Sequence, residues 1–175
     1  SPGKSIAWVD WIVCKVTSRM ENLLPLIRNA ARALIVQDRR ILLLRKEYED
    51  LSERFALPGG AQDPGETLHQ ALRRECEEEI GTDVEIRDLV HVADYFKPRD
   101  THPPSTKHLV EFLFDCAVPA DYSPANGHHP DKHQVEVVWA MLDDLHRMPL
   151  YPRSLGPLLQ RLLGEDRLVY LGLID

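Results

Sequence analysis

No stretch of this sequence is long and apolar enough to cross a bilayer as a helix. The nearest approach, Ile6 to Val16, is too short for the hydrocarbon core and is interrupted by Asp10. Cysteine is scarce: Cys14, Cys76 and Cys116 lie far apart and show no C-x-x-C or other zinc spacing, which fits a reducing, cytoplasmic setting. An excess of basic residues is missing too. With 28 acids against 21 bases the formal charge is -7, which gives no long-range attraction for duplex DNA or anionic membranes. A small phosphorylated ligand stays open, because local cations or a bound metal can outweigh net charge within a cleft.

Repeats, low-complexity tracts and Pro/Gly-rich linkers are also absent, so one core is expected. A chain of 175 residues, 43% hydrophobic, can bury such a core without disulfides or structural metal. Met20 would make a natural start, so residues 1–19 read as an N-terminal extension and 20–175 as a single domain.

Ala31 to Val36 and Ile41 to Leu44 are apolar runs around a polar Gln37–Arg40 link, the pattern of a β-hairpin. A third short strand is expected at Phe55 to Leu57, ended by Pro58-Gly59-Gly60. Thr67 to Ile80 has helical periodicity with Gly81 as its stop. Val84 to Val92, His108 to Cys116 and Gln134 to Ala140 read as strands, Pro119 to Asp131 as a polar loop, Leu155 to Leu163 as a second helix, and Leu168 to Leu173 as a closing edge strand. The fold expected is α/β, a mixed β-sheet sandwiched between helices in α/β/α layers.

The helix at Thr67–Ile80 carries a conflict. With Leu72 set at zero on a helical wheel, Leu68, Cys76 and Ile80 define an apolar face at about -40°, +40° and +80°. Glu79 and Glu75 fall at about -20° and -60°, in or beside that sector, whereas Glu77 points away. Carboxylates one turn apart and partly buried repel each other and lose hydration, so a cation must compensate them. A hard divalent ion such as Mg²⁺ or Mn²⁺ answers this, with Glu78 able to add an oxygen and Arg74 placed one turn before Glu78 to hold it. A solvated acidic helix is the competing reading of E-C-E-E-E, and the wheel alone leaves both open.

Wider spacing decides between them. Gly60, Glu66, Arg74-Glu75, Glu78-Glu79 and Gly81 reproduce G-x5-E-x7-R-E-U-x-E-E-x-G-U, where U is bulky and apolar. Chance agreement at seven such positions is about 10⁻⁸ per start point, given ordinary residue frequencies. Over residues 60–82, with Leu57-Pro58-Gly59 as lead-in, the chain resembles the Nudix hydrolases, of the bacterial ADP-ribose and nucleotide pyrophosphohydrolase kind. Cys76 and Thr82 depart from the pattern at the two U positions, where small buried side chains change packing more than chemistry.

The resemblance implies Glu75 and Glu79 as principal metal ligands, Glu78 on a further metal or metal-held water, and the Gly59 carbonyl as a ligand from the loop. It implies that Glu66 supports the loop and helix and that Arg74 orients a catalytic glutamate. It implies Mg²⁺- or Mn²⁺-dependent attack of water on a P–O–P linkage in a small nucleotide-derived substrate, and it allows a homodimer. Glu78 is a candidate general base, with Glu111 and Glu136 as alternatives. Arg32, Arg45 and Arg54 are candidates for substrate phosphates, and Tyr95, Phe96 and Trp139 for a nucleobase, each set against an ordinary solvated or core role. His128, His129 and His133 read as solvent-exposed histidines. A non-catalytic Nudix-fold module that binds a nucleotide metabolite is the alternative function. The intact set of acidic residues argues against it, as the acidic balance argues against an RNA-end hydrolase.

Overall fold

A computed structural model describes residues 23–162 and 169–175. The expected hairpin is present: β1 (Leu23–Gln37) and β2 (Arg40–Glu47) meet at Asp38 and Arg39, whose φ values of 51° and 59° suit a tight two-residue turn. The two strands pair only next to the turn, at Val36–Ile41 and Gln37–Arg40, and then part. Beyond that point β2 pairs antiparallel with β3 (Glu53–Ala56) and β7 (Gln134–Met141). β1 instead pairs antiparallel with β4 (Gly59–Ala61) and parallel with β6 (Ser105–Ala117). β6 continues antiparallel into β5 (Glu85–Arg99), which pairs parallel with β8 (Tyr170–Ile174). The result is a mixed sheet of two wings joined at the hairpin.

Helices cover both faces, as the α/β/α expectation had it. α1 (Leu68–Ile80) lays Leu72, Cys76 and Ile80 on Ala31, Ala33, Ile35, Leu42 and Leu44. On the other face, α2 (Leu155–Leu162) packs Leu155 and Leu159 with Leu34, Ile41, Leu43 and Leu113. Alternate residues of one strand thus feed two cores, the period-2 rule at work in Ile41 to Leu44. Full burial of a side chain such as Leu72 or Ile80 contributes about 1.5–3 kcal/mol.

Two elements escaped the sequence reading: β4, because Gly59-Gly60 lacks any strand-forming side chain, and a 3₁₀ turn at Leu142–Arg147. β5 also runs on to Arg99, well past Val92. Residues 1–19, expected to be an extension, lie with Cys14 outside the described residues, as do Leu163 and Leu168. Among the described residues no helix is long and apolar enough to cross a membrane.

Candidate active site

Both ends of α1 are fastened. Thr67 is the N-cap, its Oγ1 accepting from the Gln70 N–H at 3.1 Å while Gln70 Oε1 accepts from the Thr67 N–H at 2.8 Å. At the C-terminus the Pro119–Asp131 loop folds over the helix. The Glu78 carbonyl accepts from the His129 N–H at 3.0 Å, that of Glu79 from the Gly127 N–H at 3.1 Å and Gln134 Nε2 at 2.7 Å, and that of Ile80 from the Tyr122 hydroxyl at 2.9 Å. These orphan carbonyls would otherwise need water. The turn that carries Glu78 and Glu79 is closed locally by Gly81, whose N–H donates to the Cys76 carbonyl at 3.1 Å, and held further by this loop, whose role had no signal in the sequence.

Glu79 is only 4% exposed, within the apolar sector where the wheel put it. Its Oε2 accepts from the Gly59 N–H at 2.8 Å. Loss of hydration pushes this carboxyl up to about 7, against the pull of Gly59, Arg32 and Lys46. Glu75 is raised as well, chiefly by burial, with Arg74 opposing and Glu78 adding repulsion. Its carboxylate sits against Gly60, where a Cβ would lie 2.5 Å from Oε1. A side chain at this position would have to displace the Glu75 carboxylate. Glu78 points elsewhere, its Oε2 lying 3.7 Å from Arg74 Nη1 and 3.6 Å from His129 Nδ1.

Arg74 was expected to hold Glu78. Its hydrogen bonds go instead to Glu66, through Nε at 2.6 Å and Nη2 at 3.1 Å, and to Glu75 Oε1 at 2.9 Å. Arg74 Nη2 also donates to the Ala61 carbonyl at 3.2 Å, and Glu66 Oε2 accepts from the Asp63 N–H at 3.0 Å. Arg74's hydrogen bond first, then the Asp63 amide, draws the Glu66 carboxyl down to about 2. One guanidinium therefore ties the loop of residues 61–66 to a carboxylate of the helix, the bidentate geometry that lysine cannot reproduce.

Opposite the helix carboxylates stands Arg32, from the middle of β1. It donates through Nη1 to the Gly59 carbonyl and through Nε to Glu111 Oε2 at 2.8 Å, with Nη2 at 3.4 Å from Oε1. Glu111 is 3% exposed, so its charge is held in place by this pair. Arg32, Glu111, Glu75, Glu79, Arg54 and Tyr95 all line one cleft of about 470 Å³ between the two wings of the sheet. Lys46 and Lys97, which drew no notice in the sequence, line it too. Lys46 forms an ion pair with Asp131, and Lys97 is lowered by desolvation and by the neighbouring Arg32 and Lys46. Arg54 lies between the rings of Tyr48 and Tyr151, at 4.1 and 4.5 Å from their centroids.

Other candidates fall outside this cleft. Arg45 follows Leu44 and precedes Lys46 on β2, so it faces the opposite way; its Nε donates to Glu136 Oε1 at 2.6 Å on the paired strand, and its Nη1 to Glu47 and Glu53. Arg45 and Glu136 thus satisfy each other away from the helix carboxylates. Phe96 packs edge-on against His108 at 4.8 Å. Trp139 packs on the α1 core with Arg40 over its ring. His133 stacks on Tyr48 at 4.2 Å, and His129 is exposed apart from its approach to Glu78.

Among the described residues no three His, Cys, Asp or Glu side chains converge into a ready-made metal cage. The donor set nevertheless fits a hard divalent cation. Two carboxylates one turn apart are both disfavoured as anions by burial, a missing Cβ at Gly60 leaves room beside one of them, and the Gly59 carbonyl already receives a cationic group.

The sequence model of the NUDIX domain matches residues 26–162, and the chain belongs to the Nudix hydrolase family. It is 34% identical over 85 residues to the ADP-ribose pyrophosphatase of Methanocaldococcus jannaschii, a match covering 49% of this chain and 47% of that protein. To the nucleoside triphosphatase NudI of Enterobacter sp. (strain 638) it is 33% identical over 93 residues, covering 47% of this chain and 63% of the other. Among solved structures, the MutT NUDIX hydrolase from Burkholderia pseudomallei is 28% identical with a TM-score of 0.59, covering 81% of this chain and 99% of that one. The chain spans about half the length of the curated relatives it matches.

Proposed function

We propose that this domain hydrolyses the P–O–P linkage of a nucleoside diphosphate joined to another group, using Mg²⁺ or Mn²⁺. One juxtaposition carries the reading: Glu75 and Glu79, both strained as anions by burial, face Arg32 and Lys46 across a single cleft. Glu75, Glu79 and the Gly59 carbonyl would hold the cation, with Glu78 completing the acidic set. When bound, the ion supplies charge neutralisation on the phosphate oxygens and acidifies water.

The rest falls to the chain's own groups. Arg32 and Lys46 bind and orient the diphosphate oxygens from the side opposite the helix. Glu111, with an oxygen held by Arg32 Nε, positions that guanidinium. Glu78, which among the described residues accepts no side-chain hydrogen bond within 3.5 Å, takes the proton of the attacking water. Arg74 holds Glu75 in place, and Tyr48 and Tyr151 form an aromatic wall for the nucleoside end, where Arg54 is stacked. The curated relatives' names, one an ADP-ribose pyrophosphatase and one a nucleoside triphosphatase, support a nucleotide anhydride. A panel of ADP-ribose, nucleotide sugars, dinucleotides and nucleoside triphosphates, assayed with Mg²⁺ for mononucleotide, phosphate or pyrophosphate release, tests it. No release from any of them, with substrate binding intact, would favour a binding module instead.

A further inference from the structure

The face of the sheet that floors the cleft changes character along its length. On β1 its residues are Arg32, Ala30 and Arg28; on β6 Glu111, Leu109 and Lys107; on β5 Tyr95, Lys97 and Arg99, and all nine line the cleft. Near the helix carboxylates lies the Arg32–Glu111 pair, then an apolar band of Ala30, Leu109 and Tyr95. At the far end stand three cations, Arg28, Arg99 and Lys107, while Lys97 lies toward Arg32 and Lys46. Arg28 is four residues before Arg32 on β1, about 13 Å along an extended strand.

These cations are short of countercharge. Glu111 is committed to Arg32, Asp131 to Lys46 and Glu75 to Arg74. Arg28 has Asp63 at 3.7 Å, but among the described residues Arg99 and Lys107 form no ion pair or side-chain hydrogen bond. Lys107 is lowered by desolvation and by Arg99 and Arg28 beside it, so these three cations repel one another. A chain with a net charge of -7 that gathers three cations around a single nearby carboxylate at one end of its cleft has concentrated positive potential where a ligand would meet it.

We infer that the cleft holds a second anion subsite, formed by Arg28, Arg99 and Lys107, for a phosphate monoester on the substrate remote from the anhydride that is cut. The inference rests on the diphosphate reading above and narrows it to nucleotides that carry an additional phosphate on the sugar or at the far end. The apolar band accommodates the uncharged part of the ligand between its two anionic parts.

Matched ligands differing by one phosphate monoester test this: coenzyme A against dephospho-coenzyme A, and NADPH against NADH. Affinity is measured by calorimetry in EDTA, and kcat/KM separately with Mg²⁺. The phosphorylated member of at least one pair is expected to bind about tenfold more tightly, as charge-assisted contacts do. The double variant Arg99→Gln/Lys107→Gln should erase that preference, through KM rather than kcat, and leave the other member within about twofold. Raising the ionic strength should shrink the wild-type preference in the same direction.

Equal affinity within both pairs overturns the subsite, and so does an equal loss for both members in the variant. A loss confined to a single-stranded RNA oligonucleotide overturns it too, since the patch would then serve a polymer. Discrimination in EDTA without any hydrolysis in Mg²⁺ would sink the hydrolase reading alone, whereas hydrolysis without discrimination would sink the subsite alone. Circular dichroism verifies that the variant is folded.

Discussion

Replacing Glu79 by glutamine should abolish turnover yet stabilise the metal-free protein at neutral and alkaline pH. The folded carboxyl is raised from 4.5 to about 7, mainly by burial, and this displacement corresponds to roughly 3 kcal/mol of destabilisation once the group is ionised in both states. The sign follows from proton counts. Below pH 4.5 the carboxyl is protonated folded or unfolded and contributes nothing; between 4.5 and 7 the folded state holds the proton longer, so stability falls as pH rises; above 7 the full penalty applies. Glutamine removes it while its Oε1 still accepts from the Gly59 N–H. The new NH₂ needs an acceptor, which takes back about 1–3 kcal/mol if none is found. A net gain of about 1–2 kcal/mol at pH 8 raises Tm by roughly 2–8 °C for a domain of this size.

Thermal melts of both proteins in EDTA, at pH 5 and pH 8, read this directly. The advantage of Glu79→Gln should be several degrees larger at pH 8 than at pH 5. With Mg²⁺ at about a hundred times its Kd the order reverses, because a ligand of the native state adds about 2.7 kcal/mol that the variant forfeits. A pH-independent difference between the proteins, or a Glu79→Gln enzyme that still cleaves substrate in Mg²⁺, refutes the assignment of Glu79 as a buried metal ligand.

Thorough chelation should stop hydrolysis and added Mg²⁺ or Mn²⁺ restore it; turnover surviving EDTA contradicts the mechanism. Gly60→Ala puts a methyl group 2.5 Å from the Glu75 carboxylate, so metal affinity measured by calorimetry should fall by an order of magnitude or so with the fold retained by circular dichroism. Glu136→Gln should leave kcat within about twofold, since its partner is Arg45 outside the cleft, and a large loss would return it to candidacy as the base.

Much of the architecture could be read in advance. Ile41 to Leu44 announce a strand buried on both faces, Thr67 and Gly81 bracket a helix, and the apolar sector of that helix contains Glu79 whatever the helix packs against. That is local information: caps, periodicity and turn chemistry act over a few residues, so the intervals between Gly60, Glu66, Arg74, Glu75, Glu78 and Glu79 carry it intact. Which cations meet the carboxylates is a different matter. Lys46 and Arg45 are neighbours in sequence and alike in chemistry, yet one lines the cleft and the other joins Glu136 on the opposite face. Arg74 could reach Glu78 by helical spacing, but the fold of residues 61–66 brings Glu66 closer with better geometry. The Pro119–Asp131 loop, polar and featureless in sequence, supplies amides that bond the carbonyls of the helix's last turn. Each outcome depends on strand register and on segments tens of residues apart, and a single strand position says which face a side chain takes only once its neighbours are in place.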